Sequence, residues 1–489
     1  MLASMISMGL KSGGPSTPLK QSTSQLKTIF ALASAPGKAG IAVVRVSGPD
    51  VRRVYDALTP TPTHKQRRLP QERVMVNRSI VNPSTKEVID RALLVYFAAP
   101  RSFTSQDTLE LHLHGGNAVV GAALNAIAGI DGCRPAERGE FARRAFESHK
   151  LDLTEIEGLR DLVDAETEMQ RRLALRQSSG AVRQQYDDMR LDIIHALSIV
   201  EAVIDFGEDE QIEEGVLSQA TQNTRDLAAK IEKHLHDNRR GEIVRSGIRL
   251  AIYGPPNAGK STLLNRLARR EAAIVSHLPG TTRDVIQLSL NLGGYPVLVS
   301  DTAGVRTTDE EIEQMGVKRA FEEARQADIT LVVLDLPVLL QEGRLDVDLK
   351  HISKDSIVLL NKSDSLTAPL NQTQLDKVKK LLEPFENVFV GSVKQEAALE
   401  EFLFTLTNNI KQQFDIGMAD MPIITDARHR YHLEQCLQFL KAFIGTPSNA
   451  PVEAAEELRY AALALGRVTG RVDVEDVLDA LFAGFCIGK

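Results

Sequence analysis

The chain has 489 residues, a formal net charge of −7, 25% charged and 43% hydrophobic residues, a composition ordinary for a soluble protein and long enough for about three domains. No run approaches the roughly 20 apolar residues that a membrane span needs, so no membrane partner is expected, and the negative balance means that any RNA contact must use a local basic patch. Cys133, Cys436 and Cys486 are too few and too scattered for a disulfide framework and imply a reducing compartment.

Before Asp50, the first acidic residue, lie Lys11, Lys20, Lys27 and Lys38 among many Ser, Thr and Ala. An acid-free, Ser-rich, weakly basic start is expected to be a mitochondrial transit peptide. The absence of Arg before Arg45 and the helix-breaking Gly13-Gly14-Pro15 leave an untargeted tail, hence a cytoplasmic protein, as the alternative. Residues 1–26 are therefore set apart from the fold.

Residues 27–147 read as a first, mixed α/β unit. Ile41–Ser47 is a strand that ends in the turn Gly48-Pro49, and Ala92–Ala98 is a second apolar run. Leu109 to His114 alternates strictly, which predicts a strand with one apolar face. Its other face carries Glu110, His112 and His114, either a metal site or a polar face meeting solvent or a ligand. Helical periodicity returns over Ala118–Ile127.

From about 148 to 244 the texture is helical. Thr154 to Glu157 is a possible capping box, and Ile156, Leu159, Leu162 and Val163 recur at helical spacing, followed by Leu173, Leu191, Ile194, Leu197 and Val200. A further helix is predicted over Val216–Asn238. Arg143-Arg144, Arg171-Arg172 and Arg239-Arg240 read by default as solvated surface, with RNA contact the alternative.

Residues 245–410 alternate strands and helices, the pattern of a parallel sheet covered on both faces. Gly254 to Thr262, GPPNAGKST, fits G-x-x-x-x-G-K-[ST] between the apolar strand Ile248–Tyr253 and a helix over Thr262–Arg270. In such a loop Gly254 and Gly259 let backbone N–H groups turn onto phosphate oxygens, and Asn257, Ala258, Gly259, Lys260, Ser261 and Thr262 line the nucleotide phosphates. Lys260 reaches the β and γ phosphates and Ser261 holds Mg²⁺. Asp301-Thr302-Ala303-Gly304 follows the apolar Val297–Ser300, where a P-loop enzyme keeps a second magnesium contact and a switch. Asn361-Lys362-Ser363-Asp364 follows Ile357–Leu360. The Asp364 carboxylate can accept two hydrogen bonds from the guanine edge, which adenine cannot offer, so the nucleotide is read as GTP. Ser392, Val393 and Lys394, after Gly391, fit the loop that backs the guanine ring.

Residues 411–489 turn helical again, most clearly over Tyr431–Phe443 and Val452–Leu465. The expected architecture is a G domain inserted into a helical domain. The chain closes on Gly484-Phe485-Cys486-Ile487-Gly488-Lys489, where the cysteine is either a frayed bystander or part of a site.

Many GTPases carry a glutamine just after the DTAG glycine to orient the attacking water; here that position is Val305. A monovalent cation held by Asn257 could stand where an arginine finger would, with Ala272–Asp284 wrapped over it and Thr282 as the magnesium-sensing switch threonine. The acidic run Asp309, Glu310, Glu311 and Glu313 could supply a water-orienting carboxylate. For each of these the alternative is a solvated switch loop.

The phosphate loop with its asparagine, GTTRD at Gly280–Asp284, DTAG, NKSD and the terminal CIGK together resemble the MnmE/TrmE family of tRNA-modification GTPases. The resemblance extends to VVRVSG at Val43–Gly48, SFT at Ser102–Thr104, LELHLHGG at Leu109–Gly116, RPAERGEFARRAF at Arg134–Phe146 and KLDL at Lys150–Leu153. It implies an N-terminal α/β tetrahydrofolate-binding-like domain that pairs two subunits as a homodimer, and a helical domain with an inserted P-loop (Ras-like) G domain. It implies modification of carbon 5 of the wobble uridine of certain tRNAs with a carboxymethylaminomethyl-type group, together with an FAD-dependent partner of the MnmG/GidA kind. It also implies that Arg45, Glu110, Lys150 and Lys489 touch a folate, 5-formyl- or methylene-tetrahydrofolate. Potassium would sit between Asn257 and the loop Ser276, His277, Leu278, Pro279, Gly280 and Thr281, and Mg²⁺ on Ser261, Thr282 and Asp301. Glu313 would orient water, Arg306 would couple hydrolysis to modification, and Cys486 has a place in the C-terminal motif but an open role. Pro279 departs from the pattern and bears on how that loop closes.

Overall fold

The computed structural model describes residues 27–60, 68–206, 214–270, 287–300, 322–345, 352–414, 422–447, 449–472, 478, 481–482 and 484–488. They fall into two compact units that part between Asp152 and Leu153, with the residues after Asp473 in the first.

The first unit is built on six strands, β1 (Thr28–Leu32), β2 (Ala39–Ser47), β3 (Val76–Val81), β4 (Val88–Phe97), β5 (Thr108–Gly115) and β6 (Cys133–Pro135), in the order β3-β4-β5-β2-β1-β6. All pairs are antiparallel except β1 with β6. The period-2 pattern of β5 sends Leu109, Leu111 and Leu113 inward. There they meet Val44 and Val46 of β2 and the apolar sides of α1 (Val51–Leu58) and α2 (Asn117–Ala128). The opposite side of the sheet carries Glu110 and His112, half-buried, and His114, exposed. The three do not converge on one point: Glu110 pairs with Arg45 and lies 3.5 Å from His112 Nε2, while His114 Nδ1 lies 2.7 Å from Asp90.

Helix α3 (Glu140–Glu147) corrects one expectation. Arg144 is not solvated surface; it is 5% exposed and donates to Glu140 at 2.9 Å, to Gln106 at 2.8 Å and to the Lys27 carbonyl at 3.0 Å. A buried guanidinium needs such partners, and the carboxylate one turn earlier supplies the charge. The chain's last residues belong to this unit. Ile487 bridges Arg138, and Arg143 stacks over the Phe482 ring at 5.0 Å from its centroid. Gly488 has φ +110, and a Cβ there would stand 2.3 Å from the Leu32 carbonyl oxygen, so this turn of the tail requires glycine.

The second unit begins with α4 (Leu153–Asp164), α5 (Glu168–Ser178), α6 (Ala181–Phe206), α7 (Glu214–Leu235) and α8 (Arg240–Ser246). A second sheet follows, of β7 (Ile248–Tyr253), β8 (Gln287–Leu292), β9 (Tyr295–Ser300), β10 (Ile329–Asp335), β11 (Ile357–Asn361) and β12 (Asn387–Val390), in the order β12-β11-β10-β7-β9-β8. Only the β8–β9 hairpin is antiparallel. Helices α9 (Lys260–Arg270), α10 (Leu336–Glu342), α11 (Gln372–Leu381) and α12 (Glu396–Phe414) accompany it. Continuous burial of β10 and β11 is what a parallel sheet with both faces covered requires. After it come α13 (Ala427–Gly445) and α14 (Pro451–Thr469), which share one apolar core with α6 and α7 through Ile193, Ile231, Leu433 and Leu458. The stretches before and after the second sheet thus complete each other's core.

Polar contacts fix that arrangement. Glu157 of α4 is buried against Arg428 and His429, each at 2.8 Å, and Arg428 also donates to the last carbonyls of α14. Arg245 of α8, just ahead of β7, pairs with Asp161 at 2.6 Å and with Asp426. The capping box expected at Thr154–Glu157 is not formed, since α4 already runs through those residues from Leu153. A capping box stands instead at Thr167–Gln170, at the start of α5.

Candidate functional site

The parallel strands β7, β10 and β11 end on one edge, where an open α/β sheet keeps its ligand loops. The loop after β7 turns at Gly254, φ +150, whose absent Cβ would collide with the Val333 carbonyl oxygen at 2.1 Å. Asn257 holds φ +59, a left-handed conformation that asparagine tolerates better than most side chains. Gly259 has φ +106, and a Cβ there would lie 2.1 Å from Asn361 Nδ2. The Lys260 ammonium reaches back across the loop to the carbonyls of Gly254 and Pro255 at 2.8 and 2.7 Å, and burial pulls its pKa down. Ser261 and Thr262 are exposed at the start of α9, and Ala258 is buried beneath the loop.

Asn361 joins this loop to the base side of the site. Its Nδ2 donates to the Ala258 carbonyl at 2.7 Å, and its Oδ1 accepts from Val393 N at 3.0 Å. Lys362 adopts φ +67 and donates to Asp335 at 2.6 Å. Asp364 is exposed on the turn Ser363–Ser365. Gly391 N bonds to Leu360, and the Ser392 hydroxyl accepts from Lys394 N at 3.2 Å. Arg266 of α9 donates to the carbonyls of Val393 and Lys394. Sequence reasoning missed Arg266, for which no local signal exists. It also missed Asp335, though a carboxylate closing the apolar run Ile329–Leu334 was visible.

In the first unit the structure brings Arg45, Glu110 and Lys150 together on one cavity of about 220 Å³. β2 and β5 pair Arg45 directly with Glu110, Arg45 Nη2 lying 2.9 Å from Glu110 Oε1. The Arg45 guanidinium lies over the rings of Phe103 and Phe141 and reaches the Gly488 carbonyl at 3.5 Å. Lys150 donates to the Ser102 carbonyl, and burial, then the nearby Arg73, lowers its pKa. Arg73 and Arg101 also line the cavity. Arg73 and Arg101 are both paired with Glu72, and Arg45 with Glu110, so four cations face two carboxylates. The remaining positive balance suits an anionic ligand, and the Phe97 and Phe103 rings offer it an apolar wall. The two additional arginines lie on connecting segments without a motif. Cys486 is exposed beside this unit's Ile487 bridge.

Ser276 to Thr282, Asp301 to Gly304, Arg306, Glu313 and Lys489 lie outside the described residues.

The sheet order, the strained glycine loop and the asparagine that ties it to the base side define the class: a P-loop domain of the guanine-nucleotide kind. Comparison with known proteins narrows it. The family description "GTP-binding protein TrmE N-terminus" matches residues 28–150, and "MnmE helical domain" matches residues 153–486. A mitochondrial 5-taurinomethyluridine-[tRNA] synthase subunit GTPB3 of Danio rerio is 45% identical over 473 residues, 94% of this chain and 93% of that protein. A tRNA modification GTPase MnmE of Rickettsia bellii is 42% identical over 466 residues, 95% of this chain and 100% of that protein. A GDP-bound GTP-binding protein of Sulfolobus solfataricus covers 46% of this chain and 67% of its own at 17% identity and a TM-score of 0.26, a likeness too slight to add anything. This chain belongs to the MnmE/TrmE family.

Proposed function

We propose that this protein is a GTPase whose nucleotide cycle drives modification of carbon 5 of the wobble uridine of certain tRNAs. The observation that carries the GTPase reading is the double hydrogen bond of Asn361, which locks the phosphate loop to the loop behind the guanine position. Lys260 neutralises charge on the β and γ phosphates, and Ser261 contributes its hydroxyl to Mg²⁺. Asn257, exposed in the same loop, offers a side-chain carbonyl that suits a bound potassium ion, with Ser276, Leu278 and Thr281 completing its cage. Glu313 orients the water in place of the glutamine that Val305 replaces.

The second half of the reading is a folate-linked one-carbon unit held in the Arg45–Glu110–Lys150 cavity, with Lys489 also touching the folate and Cys486 of the same terminal motif keeping an open role. What supports it is the cation-rich lining beside aromatic rings and the Gly488 carbonyl placed against Arg45. A homodimer, an FAD-dependent partner and a mitochondrial setting complete the proposal, the last in keeping with the Danio rerio relative. The domain limits expected from the sequence are 27–147, 148–244, 245–410 and 411–489; the compact units part instead between Asp152 and Leu153, and the residues after Asp473 return to the first.

Mass spectrometry of wobble uridines from cells lacking the protein tests the whole reading. Unchanged uridines would overturn it. Turnover of GTP in KCl against NaCl tests the cation, with Asn257→Ala expected to erase the difference. Equal wild-type rates in both salts would remove potassium from the mechanism.

A further inference from the structure

We propose that Asp335 is a positioning residue for guanine recognition: it holds the Lys362 ammonium aside and so keeps the Asp364 carboxylate free for the base. The inference rests on the guanine reading of this site and goes one step beyond it, to a residue outside the nucleotide-binding motifs.

Asp335 closes β10 and stands in register with Asn361, the last residue of β11. The residue after Asn361 is Lys362. Its φ of +67 turns the chain back, so that Nζ lands 2.6 Å from Asp335 Oδ2. The Asp335 carboxylate is itself fixed, because its Oδ1 accepts from Val338 N at 3.3 Å as the cap of α10. Its side chain is 15% exposed, so the pair is shielded from water more than a surface pair would be.

Two residues after Lys362, on the same short turn, lies Asp364. It is exposed, and among the described residues no cation pairs with it. Guanine offers this carboxylate two N–H donors. An ammonium settled on Asp364 would have to be displaced before the base could bind, and the discrimination that a free acceptor provides would shrink. Lys362 is the nearest cation along the chain and carries a long, flexible stem. Asp335 supplies a competing carboxylate, already oriented by its cap, and so draws the ammonium the other way.

The test is a double-mutant cycle on the full chain, read as Kd for GDP and for inosine diphosphate, which lacks the 2-amino donor. Asp335→Asn keeps a good capping side chain and removes the charge. It is expected to weaken GDP binding at least tenfold and to narrow the preference for GDP over inosine diphosphate. Lys362→Met keeps the apolar stem and removes the ammonium. The double variant is expected to bind GDP as tightly as Lys362→Met alone, because there is no cation left to mispair. An Asp335→Asn protein within twofold of wild type overturns the proposal. So does a double variant that loses as much relative to Lys362→Met as Asp335→Asn loses relative to wild type, since that result marks a plain structural role. Unaltered thermal melting of Asp335→Asn accompanies the expected outcome. A wild-type chain that binds no GDP is a different failure, that of the guanine reading itself.

Discussion

The two sheets of this protein carry their candidate sites in different places. In the second unit the strands run parallel apart from the β8–β9 hairpin, both faces are covered, and the site sits in the loops at the strand ends. In the first unit the sheet is almost wholly antiparallel, one side is packed by helices, and the cavity lies against the other side. A strand-end site is made of consecutive residues, so it leaves a motif. A sheet-face site is made of alternate residues on strands far apart in the chain, as Arg45 and Glu110 are, and leaves almost none.

The comparison can be broken by disturbing one region at a time. The largest effect is expected from the joint behind the parallel sheet. Glu157→Ala strands Arg428 and His429 without their carboxylate and should cost about 3–5 kcal/mol in urea unfolding. Burial pushes the Glu157 carboxyl up, but His429 and Arg428 outweigh it and hold the pKa below its usual value of 4.5. A depressed folded-state pKa stabilises above the unfolded value and loses that stability as the pH falls through and below it. The wild type should therefore weaken in acid below about pH 4.5, and Glu157→Gln should flatten that part of the profile. An identical acid limb in both proteins would remove Glu157 from the account.

Next comes the strand-end site. Lys260→Ala removes the cation from the phosphate loop and should lower GTP turnover ~100- to 1000-fold, measured by phosphate release, while folate binding to the first unit is retained. Loss of both activities together would show that the two sites do not act as separate binding centres. The sheet-face site should respond more gently. Arg45→Ala removes one charged contact and should weaken 5-formyltetrahydrofolate binding by about 1.5–3 kcal/mol, read by calorimetry, with Glu110→Ala in the same direction. No binding to the wild type would instead favour a GTP switch that assembles RNA complexes without acting on a base. The smallest effect belongs to Arg266→Ala. It frees the Val393 and Lys394 carbonyls from a single side chain, for about 1 kcal/mol in GDP affinity.

Local chemistry made the second unit legible before its coordinates. Ile248–Tyr253 is readable as a strand to the residue, because a short run of apolar residues, broken only by Arg249, ahead of a glycine loop has few other uses. Ile357–Leu360 is equally plain for the same reason. The capping box was misplaced, because Thr154 satisfies its spacing while α4 begins a residue earlier at Leu153. Arg144 was misread because nothing in its own neighbourhood reveals that Gln106 and the Lys27 carbonyl come to meet it.

From the sequence alone came the nucleotide motifs, the strands that precede them and the alternation that gave β5 a polar side, since each depends only on residues adjacent in the chain or two to four apart. Tertiary structure alone decided that Arg45 faces Glu110, that Gly488 returns from the far end of the chain to the Arg45 guanidinium, and that Asp335 meets Lys362. Those pairings are set by strand order and by which buried charge finds a partner, and neither is encoded within any one stretch of the chain.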